Sequence, residues 1–420
     1  MKRIKSIVIV ACLTITAMLG SIVGNFENYG AEDYQKKLNN ALDMYFLERE
    51  NEFLGNNSMQ RTMLSEIEEE RLQSIEEWKE ELEIDVVAVD IEYSIRDIID
   101  NKDGEIKLLV YEWVTIDYKC VGYEVIETMG FGTDHLVTLA NKNEGLEILD
   151  DVYSEIIGYE SGSEQERLEL HGAIETFDEM IVSKITEAEI VMQPYAIGAP
   201  LTYNPTLAVD YSNQWCGNSN PGTSSGTMTP ANYNPQFYYY PGADCCNFVS
   251  QCLYAGGLRM KGNWTATFNT SGTVTAGGTS KSGKAWRHTP TFEEFWVEEG
   301  YTVSRITTAS QAVIGNPIYR LARDGYDTNH VMLIVGTNAA GRVLVNAHNN
   351  DVYNYPINLS TKVYYTINIV HNHNYKISTY SALNHTYECT ICEHWYTEEH
   401  YMQTFMGFQS CVTCDYTIEN

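Results

Sequence analysis

The spacing of apolar residues changes at Ile84, and this change restricts the order of elements in the first third of the chain. Between Asp33 and Leu82, apolar side chains recur every three or four residues, which predicts two amphipathic helices. From Ile84 to Tyr153 apolar and polar residues alternate, and residues 101–104 form a turn sequence, so this stretch predicts an antiparallel sheet. Helices followed by a sheet are typical of an α+β domain.

The charge of the chain excludes one class of partner. It carries 57 acidic against 27 basic side chains, for a net charge of -30. Binding to a phosphate backbone depends on clustered Lys and Arg that release counterions, so we expect no nucleic-acid partner. The same charge opposes electrostatic attachment to an anionic bilayer, and membrane contact is expected only through an uncleaved N-terminal anchor.

The N-terminus has the form of an export sequence. Residues 1–5 are basic, and residues 7–23 form an apolar run without charge. This pattern predicts that residues 1–31 are a signal peptide or a signal anchor. The rest of the chain is therefore expected to be secreted or held at the cell surface.

Composition divides the remaining chain into four parts. Residues 32–192 form the acidic helix-then-sheet unit, and a helix is predicted near its end. Residues 193–202 are rich in Pro and Gly and predict a linker. Residues 203–370 hold few charges and many Tyr, Trp, Asn and Gly. Residues 371–420 are rich in His and Cys.

The clearest candidate for catalysis is a cysteine at the start of a predicted helix. Asp244 is a suitable N-cap, apolar residues follow at helical spacing, and Gly256 ends the pattern. Cys245 then lies in the first turn, where a helix N-terminus lowers the pKa of a thiol by stabilising the thiolate. The competing interpretation is a small buried apolar residue, and the neighbouring Cys246 competes for the role of nucleophile.

A histidine 85 residues further on could act as the base. His330 opens a strand that turns through residues 338–341 into a second strand. If Gly336 lies opposite Arg342, then His330 faces His348, which could orient its ring as the third member of a catalytic triad. A register slip of two residues would place one of two amides there instead, Asn346 or Asn350.

These residues resemble a known family. The segment Asp244–Gln251 reads Asp-Cys-Cys-Asn-Phe-Val-Ser-Gln, His330 begins a strand, and His348 begins a His-x-x-Asp sequence. The pattern is similar to the putative amidase domain family of bacterial secreted proteins, in which Asp-Cys-Thr-Asn-Phe-Val-Ser-Gln is typical. The resemblance covers about residues 203–370. Two positions differ from the family pattern: Cys246 stands in place of Thr, and Asn316 in place of Asp.

The resemblance implies a papain-like catalytic domain and a secreted cysteine amidohydrolase. Cys245 would attack an amide carbonyl of a peptidoglycan peptide or a related cell-surface substrate, His330 would protonate the leaving amine, and water would release the thioester. No cofactor is expected for this reaction. The alternative function is a non-catalytic surface-binding protein that retains the papain-like fold. By analogy of element order, residues 32–192 look like a cystatin-like or NTF2-like domain.

The C-terminal segment contains two pairs of cysteines with the spacing of a metal site. Cys389 and Cys392 form one pair, Cys411 and Cys414 form the other, and 18 residues separate the pairs. This spacing predicts a zinc-ribbon-like module with a structural zinc ion. A site of four thiolates is closed to water, so its expected role is to fold the tail. Disulfides are the alternative.

Overall fold

The structure of the chain is a computed structural model. It describes residues 31–55, 65–102, 105–142, 145–153, 162–184, 203–216, 233–240, 243–270, 275–277, 281–321, 328–348, 351–370, 375–381, 384–389, 395–399, 402–405, 408–411 and 417–419. Residues 1–30 of the predicted leader (1–31) and the predicted linker at 193–202 lie outside these residues. No helix in the described ranges is both long and apolar enough to span a membrane.

The predicted order of helices and strands is confirmed in the first part of the chain. Its elements are α1 (Ala31–Phe53), α2 (Ser65–Leu82), β1 (Ile84–Lys102), β2 (Glu105–Cys120), β3 (Ile126–Lys142), β4 (Gly145–Tyr153) and α3 (Glu164–Lys184). Strands β1 to β4 form an antiparallel meander. Apolar side chains of α1 and α2 share one core with this sheet. The mixed α+β class follows from these elements.

The second part adds helices on one face of further strands. Its elements are α4 (Pro205–Trp215), β5 (Tyr238–Tyr239), α5 (Cys245–Ala255), β6 (Thr275–Ala276), α6 (Lys284–Arg287), α7 (Thr289–Glu298), β7 (Val303–Ile306), β8 (Pro317–Leu321), β9 (Thr328–Thr337), β10 (Val343–Ala347), β11 (Val352–Pro356) and β12 (Tyr364–Ile367). The predicted helix that carries Cys245 and the strand that carries His330 are both present.

The two parts share a continuous sheet, which the sequence did not predict. Ten antiparallel strands are joined because β3 pairs with β11, through Phe131 opposite Val352 and Gly130 opposite Tyr353. Strand β4 pairs with β3 only from His135 onward. The earlier part of β3 would therefore be an exposed edge with unpaired N–H and C=O groups, and β11 supplies their partners.

The sheet buries different residues on its two faces because side chains alternate along each strand. On β9, Val331 and Leu333 pack in the core that contains α5, whereas Met332 and Ile334 belong to the core on the opposite face. Helix α5 is buried along residues 245–253. Gly315 allows α4 to approach the sheet: its φ is +87°, and a Cβ there would lie 2.4 Å from Pro205 Cβ.

The C-terminal segment forms two small antiparallel meanders. Their strands are β13 (Tyr375–Tyr380), β14 (Asn384–Cys389) and β15 (Trp395–Glu399), then β16 (Met402–Phe405), β17 (Phe408–Cys411) and β18 (Thr417–Glu419). Cys389 ends the second strand of the first meander, and Cys411 ends the second strand of the other. The first cysteine of each predicted metal-binding pair thus has the same place in its meander.

A cluster of charged side chains is buried between α1, α2 and the sheet. His135 lies at its centre, with Nδ1 2.9 Å from Asp151 and Nε2 3.1 Å from Glu112. Arg49 makes a two-point ion pair with Glu112. Burial alone would lower the pKa of His135, but the two carboxylates raise it to about 9. The imidazole is therefore a cation at neutral pH.

We predict that the stability of the fold decreases as pH rises through about 9. The pKa of His135 is higher in the folded chain than its ordinary value of about 6.5, so its contribution is complete below that pH and is lost as the folded group deprotonates. The loss should be at most about 3 kcal/mol. Urea unfolding at pH 6.5, 8 and 9.5 measures it.

His135→Gln should unfold at lower urea at pH 6.5, because Glu112 and Asp151 lose the cation between them. It should also lose the part of the pH dependence that lies between about 6.5 and 9. Lys119→Gln is the control, since Lys119 pairs with Glu124 at the surface, and it should keep the wild-type pH profile. A wild-type profile in His135→Gln would contradict the prediction.

Candidate active site

The start of α5 is held by a buried carboxylate. Asp244 takes the N-cap position, as predicted, but its side chain makes no capping bond to the helix. One oxygen accepts from the Tyr240 N–H and from Asn247 Nδ2, and the other lies 2.9 Å from His348 Nδ1. Asp244 is fully buried. The carboxylate therefore fixes the start of the helix to β10 instead of capping its N–H groups.

His348 is held by acceptors on both ring nitrogens. Nδ1 lies 2.9 Å from the Asp244 carboxylate, and Nε2 lies 2.7 Å from the carbonyl oxygen of Trp215, the last residue of α4. The carbonyl oxygen of Trp215 carries no hydrogen, so Nε2 donates to it, and Nδ1 shares a hydrogen bond with Asp244, whose own pKa is raised by burial. Burial alone would lower the pKa of His348, but Asp244 and the charge of Asp351 raise it. Phe248 stacks on the ring at 4.0 Å.

Cys245 lies in the first turn of α5 and faces β9. Its sulfur accepts hydrogen bonds from the backbone N–H groups of Val331 and Cys246, and it is 3.7 Å from Thr289 Oγ1. These groups favour the thiolate, as predicted from the helix N-terminus. Burial has the larger effect and raises the pKa of the Cys245 thiol above its ordinary value. The expectation of a lowered thiol pKa was therefore wrong.

Cys246 points in another direction. Its sulfur lies 3.9 Å from the carbonyl oxygen of Ala285 in α6, and Ser250 donates a hydrogen bond to it. The residue has no exposed surface, whereas Cys245 retains 7%. Burial raises the pKa of Cys246 well above its ordinary value. Of the two adjacent thiols, Cys245 is the one that faces the strand carrying His330.

The structure does not bring His330 and His348 together. The hairpin pairs Gly336 with Leu344 and Leu333 with Asn346, instead of Gly336 with Arg342. In this register His348 shares the α5 face with Asn346, and His330 shares the opposite face with Met332. The predicted facing of the two histidines was therefore wrong. The pairing at Leu344 is shifted by two residues from the predicted one, and the irregularity between Leu344 and Val345 then changes the register by one residue, which places the two histidines on opposite faces.

His330 is neutral in this setting. Burial, with the charge of Arg320 as a second cause, lowers the pKa of His330 to about 4. Arg320 is its cross-strand neighbour on β8. A neutral imidazole can accept a proton. The pKa values of the two histidines are thus shifted in opposite directions, and the two side chains lie on opposite faces of the sheet.

The other polar residues near the site serve the packing of the helices. Asn346, one alternative for the third catalytic role, donates to Ser212 and Asn213 of α4. Asn350, the other alternative, lies outside the described residues. Within the helix, Asn247 accepts from Trp286 Nε1, and Ser250 accepts from Trp264 Nε1. Polar residues of the segment Asp244–Gln251 therefore serve to satisfy buried hydrogen-bond donors.

Sequence reasoning missed two contributors to this site. Thr289 places its hydroxyl 3.7 Å from the Cys245 sulfur, and it begins α7 just before a proline. The only sequence sign of that position was the His-Thr-Pro start of a helix. The carbonyl of Trp215 left no sign at all, because a backbone acceptor is present at every residue. Asp244 was predicted as a cap and not as the partner of His348.

The predicted metal ligands are only partly within the described residues. Cys392 and Cys414 lie outside them, and of Cys389 and Cys411 the structure describes the backbone. Among the side chains that the structure does describe, no group of three or more His, Cys, Asp or Glu is arranged to hold a metal ion. Zinc in the tail stays a prediction.

Comparison with protein families gives one match. The family model described as "Putative amidase domain" matches residues 202–371, which is 170 of the 420 residues. The matched region contains Cys245, His330 and His348, and the match suggests hydrolysis of an amide bond. Searches of the curated proteins and of the solved structures gave no match.

We predict that alkylation by iodoacetamide distinguishes the buried thiols. Among Cys120, Cys216, Cys245, Cys246 and Cys252, we expect Cys245 to react first in the folded chain. Its rate should keep rising above pH 9, because burial raises its pKa. Peptide mass spectrometry over a time course at pH 7, 8, 9 and 10 measures both the order and the pH dependence.

The matched control is Cys245→Ser, which should remove the fast site and leave the slow labelling of Cys246 unchanged. Faster labelling of Cys246 than of Cys245 would reverse the assignment. A rate for Cys245 that reaches its plateau near pH 7 would show that the thiol pKa is lowered after all.

Proposed function

We propose that the chain is a secreted, papain-like cysteine amidase that acts on a peptidoglycan peptide or a related cell-surface amide. The observation that carries this proposal is the position of Cys245. Its thiol lies at the start of a buried helix, and the sulfur accepts hydrogen bonds from the backbone N–H groups of Val331 and Cys246. The residue also lies in the region matched by the amidase family model. The basic and apolar N-terminus supports export.

In the proposed reaction the Cys245 sulfur forms a bond to the amide carbonyl carbon, and the thiol proton passes to a base. His330 is the proposed base: its ring is neutral, and its lowered pKa should rise when the ring leaves its buried position beside Arg320. It transfers the proton to the departing amine, and water then hydrolyses the thioester. His348 acts as a positioning residue: it fixes Asp244, and with it the first turn of α5.

The transfer requires a movement of His330. Its Cα is two bonds from the Val331 nitrogen that donates to the Cys245 sulfur, yet its side chain lies on the opposite face of β9. The start of β9 must therefore turn for the ring to reach the thiol. Catalytic hydrogen bonds often form only when substrate is bound, so the free geometry does not exclude this role.

A non-catalytic binding protein is the second candidate. The sheet separates Cys245 from His330, and burial raises the pKa of the thiol. Both observations favour a papain-like fold that binds its target without cleaving it. Activity measurements on matched variants decide between the two functions.

We predict that the full chain releases new amino groups from purified peptidoglycan and that Cys245→Ala reduces this release to background. Cys246→Ala is the matched control and should keep activity within about threefold of wild type. His330→Gln should lower the rate by about 10² to 10⁴, which is the usual contribution of a general base. A colorimetric assay of free amines measures all four proteins.

Cys245→Ala at the wild-type rate would overturn the choice of nucleophile. No release by any of the four folded proteins would favour the binding function. A thermal unfolding curve for each variant shows that a loss of activity is not a loss of fold.

We also propose that the tail binds one structural zinc ion through Cys389, Cys392, Cys411 and Cys414. The equivalent positions of Cys389 and Cys411 at the ends of β14 and β17 support this proposal. When bound, zinc would cross-link the two meanders and stabilise them.

Metal analysis of the full chain should then find about one zinc per molecule, and Cys389→Ser with Cys411→Ser should remove it. Cys120→Ser is the control, since Cys120 is buried in the first part of the chain. A metal-free chain without free thiols in the tail would show disulfides instead.

A further inference from the structure

A cleft opens where the first part of the chain meets the second. It lies on the face of the sheet opposite Cys245, and both parts of the chain contribute to it. Trp78 and Leu82 of α2 and Phe131 of β3 come from the first part, and Met332 and Ile357 come from the second. These side chains give the cleft an apolar wall on each side.

The floor of the cleft is a row of three polar side chains on adjacent strands. Arg320 on β8 lies opposite His330 on β9 and opposite Tyr364 on β12. All three line the cleft. Arg320 is only partly exposed, and its charge is one cause of the lowered pKa of His330. A fixed cation thus lies at the centre of the floor.

Arg320 has no acceptor among the residues that the structure describes. The acidic side chains of the cleft are engaged elsewhere: Asp351 accepts from the Tyr111 hydroxyl, and Glu81 accepts from Thr361. The chain holds 57 acidic and only 27 basic side chains, so acidic partners are abundant. A partly buried guanidinium without one is available to an anion that comes from outside.

We propose that this cleft binds the C-terminus of a peptide, with Arg320 holding the free carboxylate and the apolar walls holding the last side chain. A guanidinium matches a carboxylate through two parallel N–H bonds. The apolar walls favour an apolar residue next to that carboxylate. A phosphate fits less well, because its second negative charge would meet Asp351 and Glu81.

The proposed site does not depend on the proposed amidase activity. Binding needs Arg320 and the walls of the cleft, whereas hydrolysis needs the thiol of Cys245 on the other face together with His330, which is also part of the cleft floor. A Cys245→Ala chain should therefore bind the peptide as well as wild type does. Peptide binding and amine release are measured separately, so failure of one proposal is distinguishable from failure of the other.

Isothermal titration calorimetry on the full chain tests the site. The probe is acetyl-Ala-Leu with a free carboxylate, and the comparison probe is the same dipeptide with a C-terminal amide. We expect the acid to bind wild type and Cys245→Ala at least tenfold more tightly than the amide, because a hydrogen bond to a charged group is lost with the amide. In Arg320→Gln the acid and the amide should bind about equally.

Lys362→Gln is the matched control. Lys362 lines the same cleft but has an interaction of its own, so its loss should leave the preference for the acid near the wild-type value. An unchanged affinity for the amide shows that the cleft is intact in each variant. Equal binding of acid and amide by wild type would overturn the proposal, as would a preference that Arg320→Gln retains. No measurable binding of either probe would also overturn it.

Discussion

The buried bond between Asp244 and His348 is the interaction on which the rest of the site depends. It joins the first turn of α5 to the end of β10, and the second nitrogen of His348 joins both to the end of α4. Neither polar group is exposed to water, so each requires the other as a hydrogen-bond partner. Because Cys245 follows Asp244 directly, this bond also sets where the thiol meets β9.

The alternation of side chains along β9 then determines what surrounds that thiol. Val331 faces α5, and its N–H reaches the Cys245 sulfur, so the flanking His330 faces away. A shift of one residue in the pairing would exchange the two faces. The Cys245 thiol thus accepts hydrogen bonds from backbone N–H groups on one face of the sheet, and the neutral imidazole of His330 lies on the other face. Amide hydrolysis needs these groups to meet, whereas binding does not.

The length of β3 explains why the chain has one large sheet. Strand β4 covers only part of β3, and the uncovered part pairs with β11, more than 200 residues away in the chain. This pairing brings α2 over the face of β8 and β9 that α5 leaves uncovered. The cleft and its lone guanidinium result from it, because Arg320 would otherwise face solvent on an open sheet.

Local patterns were sufficient to predict the elements of the first part of the chain and the helix that carries Cys245. The periods of 3.6 and 2 residues identified α1, α2 and β1 to β4, and the spacing behind Asp244 identified α5, because these patterns depend on neighbours in the chain. The likeness to the amidase family was also readable from the segment around Cys245. The sequence did not reveal that β3 pairs with β11. It also did not reveal the partner of His348 or the direction in which the pKa of the thiol is shifted. Strand pairing and burial depend on residues that are distant in sequence. Only the tertiary structure therefore decided which face of the sheet His330 takes. It also decided that burial affects the pKa of the Cys245 thiol more than the helix N-terminus does.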